Sequence, residues 1–89
     1  MIFQPGKFYT TPGALDALVL NRQLPSDFLK RHLAHDWGDV CDEDKEANEQ
    51  ALVDGARLLS AYALNDGTKI WIITEADRSA TTILLASEY

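Results

Sequence analysis

The apolar positions of the chain change period once, after Gly55: before it they recur at helical spacing, and after it they run as strands. Thr11 is a good N-cap, and Pro12 suits the first helical position, where a missing N–H has no partner to lose. Ala14, Leu15, Leu18 and Val19 follow at helical spacing, and Asn21 can end the segment. A second helix restarts at Pro25, with Leu24 or Ser26 at its cap. Phe28, Leu29, His32 and Leu33 line one stripe of it, and Lys30 and Arg31 point away. It fades at His35-Asp36, and Gly38 sits in the next turn. A third helix begins near Asp42, read as its N-cap, with Glu43 and Asp44 in the first turn where the helix dipole favours negative charge. Its apolar stripe is thin (Ala47, Ala51, Leu52), so it belongs on the outside, and Gly55 can terminate it.

The second half predicts strands over 57–64, 68–74 and 81–85. Asn65-Asp66-Gly67 is the strongest short-range hairpin signal in the chain. Ile70-Trp71-Ile72-Ile73 is apolar on both faces, as a central strand covered on both sides would be. Residues 2–10, with Phe3, Phe8 and Tyr9 around Pro5-Gly6, can add a short strand that Pro5 confines to a sheet edge. The expected fold is α+β: two or three N-terminal helices packed on one face of a C-terminal antiparallel meander of three or more strands. The other face would still show Trp71 or its neighbours.

Composition narrows the class. The chain has 89 residues, enough for one domain spanning 1–89 with a modest core. Its 46% hydrophobic and 25% charged residues are near globular averages, which excludes a disordered polymer. The lone Cys41 has no internal disulfide partner, the first residues lack the pattern of a signal peptide, and no apolar run approaches the ~20 residues of a membrane span; a cytoplasmic protein is expected. Fourteen acids against 8 bases give a net charge of −6. That argues against direct binding of nucleic acid or an anionic membrane, and permits docking on a basic protein surface.

Asp36-Trp37-Gly38-Asp39, the DEDKEANEQAL run, DGARLLSAY at 54–62, DGTKIWIITEADRSATTILL at 66–85 and TPGALDAL at 11–18 together resemble a family of small uncharacterised bacterial proteins encoded on plasmids and other mobile elements. The resemblance covers nearly the whole chain, and KIWIITEADRS is its most specific part. Family members often end in a Leu-Pro-x-Glu-Tyr-like tail, where this chain has Leu-Ala-Ser-Glu-Tyr. The resemblance implies a mobile-element setting and no particular activity. In that setting, small acidic proteins often resemble inhibitors of host defence of the anti-CRISPR or anti-restriction type, which act by binding.

Four constellations carry candidate chemistry. His32, His35, Asp36, Asp39 and Cys41 fall close together, but their spacing matches no zinc site, and His32 lies on an apolar stripe where a hydrogen-bonded core histidine is the simpler reading; no metal or cofactor is expected. The acids of DWGDVCDEDKE lack the alternation and central glycine of a calcium loop. Glu75, Asp77 and Arg78 in the loop TEADRSAT can do acid–base work in principle, yet no nucleophile or phosphate-binding motif accompanies them, and an ion-paired turn explains them more simply. Protein binding asks for nothing the sequence lacks. Trp37, placed in a turn, and the acids around it are the candidate anchors. The expected function is therefore a non-enzymatic binding protein that meets a protein partner, such as a nucleic-acid-binding host complex. The expected interface is Asp36, Trp37, Asp39, Asp42, Glu43 and Asp44, with Glu75, Asp77 and Arg78 adding specificity. One alternative is a small hydrolase-like or metal-binding enzyme using His32, Asp36, Asp77 and Arg78; another is a homodimeric module pairing through strand 57–62 or 81–85.

Overall fold

Local capping sets most element boundaries. In the computed structural model, which describes residues 3–89, the order is β1 (Lys7–Thr10), α1 (Pro12–Leu20), α2 (Pro25–Leu33), α3 (Asp42–Asp54), β2 (Leu58–Ala63), β3 (Lys69–Thr74), β4 (Ala80–Leu85) and a closing 3-10 turn (Ala86–Glu88). Ile2, the first residue of the expected N-terminal strand segment, lies outside the described residues. Thr11 caps α1: its hydroxyl oxygen accepts from Ala14 N at 3.2 Å while its proton goes to Glu88 at 2.7 Å, tying the end of the chain to the start of a helix. Pro25 opens α2 after Leu24, whose N–H donates to the Asp27 carboxylate at 3.0 Å. The N-cap of α3 is Cys41 rather than Asp42, so Asp42, Glu43 and Asp44 all stand in the first turn, against the positive end of the dipole. Gly55 closes α3 at φ +76°.

The fold is α+β, with helices ahead of an antiparallel β2–β3–β4 meander. One strand departs from the expectation: β1 precedes the helices and lies parallel to β4, making a mixed sheet of order β1-β4-β3-β2. α1 and α2 cover one face. Ala14, Leu18 and Phe28 pack there on Tyr62, Leu64, Ile70, Ile72 and Ile83. α3 packs in a separate cluster. It stands at the β2 edge with a second cluster of Trp37, Val40, Ala51 and Leu58. Its buried face holds Asn48 and Ala51, while Ala47, assigned to the stripe by spacing, is exposed.

That β2 edge is closed, not open. The Asn48 amide donates to Leu59 O at 2.7 Å and accepts from Leu59 N at 3.0 Å, so one side chain stands in for a neighbouring strand. Two residues on, Asp39 N donates to Ala61 O and Ala61 N to Trp37 O, around a bridge at Gly38. Gly38 has φ +74°, and a Cβ there would fall 2.0 Å from Ala61 O, so the contact requires glycine. β4 lies between β1 and β3. Neither strand expected to pair with a second copy therefore offers a free edge along these residues. The exposed edge belongs to β1, where Phe8 and Tyr9 are half exposed. On the face away from α1 and α2, Trp71 is half-buried and meets the Tyr89 ring, centroids 5.0 Å apart, with the Arg57 guanidinium donating to the Tyr89 hydroxyl at 2.8 Å.

Candidate functional site

Two polar constellations stand out, one sealed and one open. In the sealed one, His32 is fully buried where α2 meets the sheet. Its Nδ1 pairs with the Ser60 hydroxyl and its Nε2 lies 2.9 Å from Thr74 Oγ1. Thr74 Oγ1 meets Thr81 Oγ1 at 2.8 Å, and the Thr81 hydroxyl donates to Pro5 O at 2.7 Å. The last bond fixes the direction of the others, because each hydroxyl has one proton to give. Thr81 gives its proton to Pro5, so Thr74 donates to Thr81. His32 Nε2–H must then donate to Thr74. Burial, helped by the neighbouring His35, pulls the pKa of the imidazole down to about 4. The ring is therefore neutral at pH 7, and its bare Nδ1 accepts from Ser60. With no exposed surface this group cannot touch a substrate; it pins α2 and β1 to the sheet.

The open constellation is a cleft of about 310 Å³ between α3 and the turn after α2, lined by Phe3, His35, Glu49, Leu52 and Val53. Its volume is at the lower end of small-ligand sites, enough for one side chain. His35 has φ +65°, a left-handed conformation uncommon outside glycine, although asparagine, aspartate and histidine adopt it more readily than other residues. That turn of the backbone stacks its ring between two aromatics. Trp37 lies at 5.4 Å with planes 5° apart, and Phe3 at 6.0 Å with planes 21° apart. Among the described residues, His35 Nε2 is the buried side-chain polar atom that has no hydrogen-bond partner. Glu49 is held in place by Trp37, whose indole N–H donates to Oε2 at 2.8 Å. Leu52 and Val53 form the aliphatic wall, and Val53 is 80% exposed.

The residues expected to form an interface separate into three fates. Asp39, Asp42, Glu43, Asp44, Glu75 and Asp77 are exposed. Asp36 is also exposed, in a 2.7 Å ion pair with Arg31 that draws its carboxyl below the usual carboxylate range. Trp37, by contrast, is 4% exposed and belongs to the α3 cluster. It acts on the surface only through Glu49, because the turn that holds it is itself paired with β2. Arg78 is the other correction. It forms no ion pair with Glu75 or Asp77 among the described residues. Instead its guanidinium donates to Ala51 O at 3.1 Å in the last turn of α3 and to Ala56 O at 2.6 Å just beyond its end, and to Glu75 O and Ala76 O within its own turn. Asp77 accepts from Ser79 N at 2.9 Å, which lowers its pKa and shapes the same turn. His32, Asp36, Asp77 and Arg78, the alternative catalytic set, are thus each engaged by different groups, and His32 is sealed off.

Among the described residues no three His, Cys, Asp or Glu side chains gather as a metal site, and no helix is long and apolar enough to cross a membrane. Comparison with family models, with curated proteins and with solved structures gives no match. The cleft itself was not legible in the sequence. His35 was noticeable only beside His32, and Glu49 only as one of many acids. Phe3, His35 and Glu49 come together through tertiary packing that no local spacing encodes.

Proposed function

We propose that this chain is a non-enzymatic binding protein whose recognition surface is α3 together with the cleft at its side. The observation that carries the reading is the cleft, an open apolar pocket whose polar rim, Glu49, sits on a helix of unpaired acids. α3 carries six carboxylates (Asp42, Glu43, Asp44, Glu46, Glu49 and Asp54) against Lys45 alone. All six are exposed, and none is ion-paired among the described residues. Such a surface attracts a basic protein face by long-range steering, and a neighbouring pocket adds the short-range fit that charge lacks.

In its finer form the partner is a nucleic-acid-handling host complex whose basic groove the acidic helix occupies. The setting is that of a mobile-element accessory factor countering host defence, of the anti-CRISPR or anti-restriction type. The net charge of −6 and the resemblance of KIWIITEADRS to mobile-element proteins support this form. The test is affinity capture from a bacterial host lysate at increasing salt, with the Glu43→Gln, Glu46→Gln double variant in parallel. Expected is a captured basic protein whose yield falls steeply with salt and drops in the double variant. Capture indifferent to salt and to the double substitution overturns the reading.

A further inference from the structure

The two edges of the sheet end differently. Asn48 and the Trp37–Asp39 segment close the β2 edge, whereas no hydrogen bond among the described residues meets the outer side of β1. We infer that the β1 edge is a self-association surface, on which β1 of a second copy pairs antiparallel and joins two four-stranded sheets into one. The surface is separate from α3, and its test is separate from the lysate capture.

The ladder to β4 decides which backbone groups are free. Lys7 N donates to Ser79 O at 3.1 Å and Thr11 N to Ile83 O at 2.9 Å, so the odd-numbered residues of this segment turn their backbone groups toward β4. The N–H and C=O of Phe8 and Thr10 therefore point away from the sheet. One register spends all of them. With Phe8 opposite Thr10 of the other copy, both donors and both acceptors of each strand are used, and Tyr9 meets its own counterpart on the two-fold axis. Setting Thr10 against Thr10 would place Phe8 opposite Pro12, which has no N–H to give. Setting Phe8 against Phe8 would place Thr10 opposite Gly6, whose φ of +69° is not that of a strand.

Side chains and charge select a second copy over a strand of another protein. Phe8 is 51% and Tyr9 52% exposed, on opposite faces of the sheet. The register covers both, with an aromatic–threonine pair on one face and a Tyr9–Tyr9 pair on the other, combinations that stabilise neighbouring strands. It also sets Lys7 opposite Thr11 of the other copy, and the Thr11 hydroxyl donates to Glu88 at 2.7 Å. Glu88 Oε1 takes the bonds from Thr11 and Leu85, while Oε2 and the Lys7 ammonium have no partner among the described residues. The two-fold axis makes that Lys7–Glu88 match twice. Two chains of net charge −6 repel overall, yet Lys7 is the one charged side chain in residues 1–15, and the carboxylates of α3 stand at the far, β2 edge. Pairing through β1 holds the two acidic helices at opposite ends of the joined sheet. A four-residue strand buries less than the ~1,200 Å² of a stable interface, so the expected Kd is on the order of 0.1–1 mM.

The experiment is sedimentation equilibrium of the whole chain from about 10 μM to about 2 mM, a range that brackets this Kd. Isotope-filtered NOE spectra of mixed carbon-13-labelled and unlabelled chains accompany it at the upper concentration. The mass is expected to rise toward two copies and not beyond. The spectra are expected to show a contact between the Tyr9 Cα protons of the two copies, which this register produces. Phe8→Pro removes no bond to β4, because the Phe8 N–H faces outward; it should keep the amide spectrum of β2 and β3 and stay monomeric throughout. Lys7→Glu should raise the Kd at least about threefold at low salt, and added salt should weaken the wild-type dimer. A mass of one copy at every concentration leaves the edge to a strand of another protein and overturns the inference. So do growth past two copies, a dimer without the Tyr9 contact, and a Kd indifferent to Lys7→Glu. If Phe8→Pro does not fold, the Tyr9 contact and the Lys7→Glu series decide by themselves.

Discussion

At the scale of single residues, direction matters as much as contact. The chain of donors from Ser60 through His32, Thr74 and Thr81 to Pro5 O has one consistent orientation, and every member depends on the next. Thr74→Val keeps the shape but leaves His32 Nε2–H without an acceptor and Thr81 without a donor. We expect it to cost about 1–3 kcal/mol in urea unfolding, the cost of burying an unsatisfied group, whereas Thr82→Val, half-buried on the opposite face, stays within about 0.5 kcal/mol. Arg78 presents a second residue-scale contrast. As a solvent-facing turn residue it would be replaceable, but its guanidinium holds carbonyls in the last turn of α3 and just beyond its end. Arg78→Ala should therefore lower stability by about 1–2 kcal/mol, while Glu75→Ala, exposed and without a side-chain bond among the described residues, changes it by less than about 0.5 kcal/mol. Equal effects of the two substitutions would return the loop to a plain turn.

At the scale of elements, the β2 edge shows how a sheet ends without inviting another strand. Asn48 supplies both a donor and an acceptor to Leu59, and the Trp37–Asp39 segment serves Ala61. Asn48→Ala exposes the Leu59 pair next to a buried cluster, and we expect a loss of about 1–3 kcal/mol. Gly38→Ala meets both a strained φ and a carbonyl at 2.0 Å, so the bridge must part; a cost of at least about 1–2 kcal/mol is expected, with faster amide exchange at Ala61. Wild-type exchange at Ala61 in Gly38→Ala would contradict the closed edge. Elements of this kind also mark how far the sequence could be read. The helix starts at Thr11 and Pro25, the Asn65–Gly67 hairpin and the central, doubly apolar β3 were all legible, because caps, turns and periodicity are local. Three features were not. β1 pairs with β4 across the whole chain in a parallel register that its own composition does not encode. Asn48 looked like one polar residue of a polar helix, and only the position of β2 makes it structural. Trp37 sits in a segment that reads as a turn, and no local pattern shows that this turn is stitched to a strand and its indole buried.

At the scale of the whole molecule, acid titrates the fold in two stages of the same sign. The folded-state pKa of His32 is about 4 against an ordinary 6.5, so between those values the unfolded chain takes up the proton and the folded chain does not. Stability is then full above the ordinary value and declines as pH falls toward the folded one. The slope does not exceed about 1.4 kcal/mol per pH unit, and the total is at most roughly 3 kcal/mol. Asp36, Asp66 and Asp77 act later. Each has a pKa lowered below 3.8 by hydrogen bonds, from Arg31, Thr68 and Ser79 respectively, so their contribution is present above that value and is lost as pH falls through their folded pKa values. These three carboxylates lie at the surface and are screened by salt, whereas His32 is sealed. The two stages are therefore separable by ionic strength. Urea unfolding followed from neutral pH to about pH 3 should show a first decline, from about 6.5 to about 4, that is insensitive to added sodium chloride, and a second, at lower pH, that salt alters. A first stage that shifts with salt would place the titrating group at the surface, and a curve flat down to about pH 4 would mean that His32 takes its proton in the folded chain. The second result would reverse the bond between Ser60 and His32 Nδ1 and place a charge where α2 seats against the sheet.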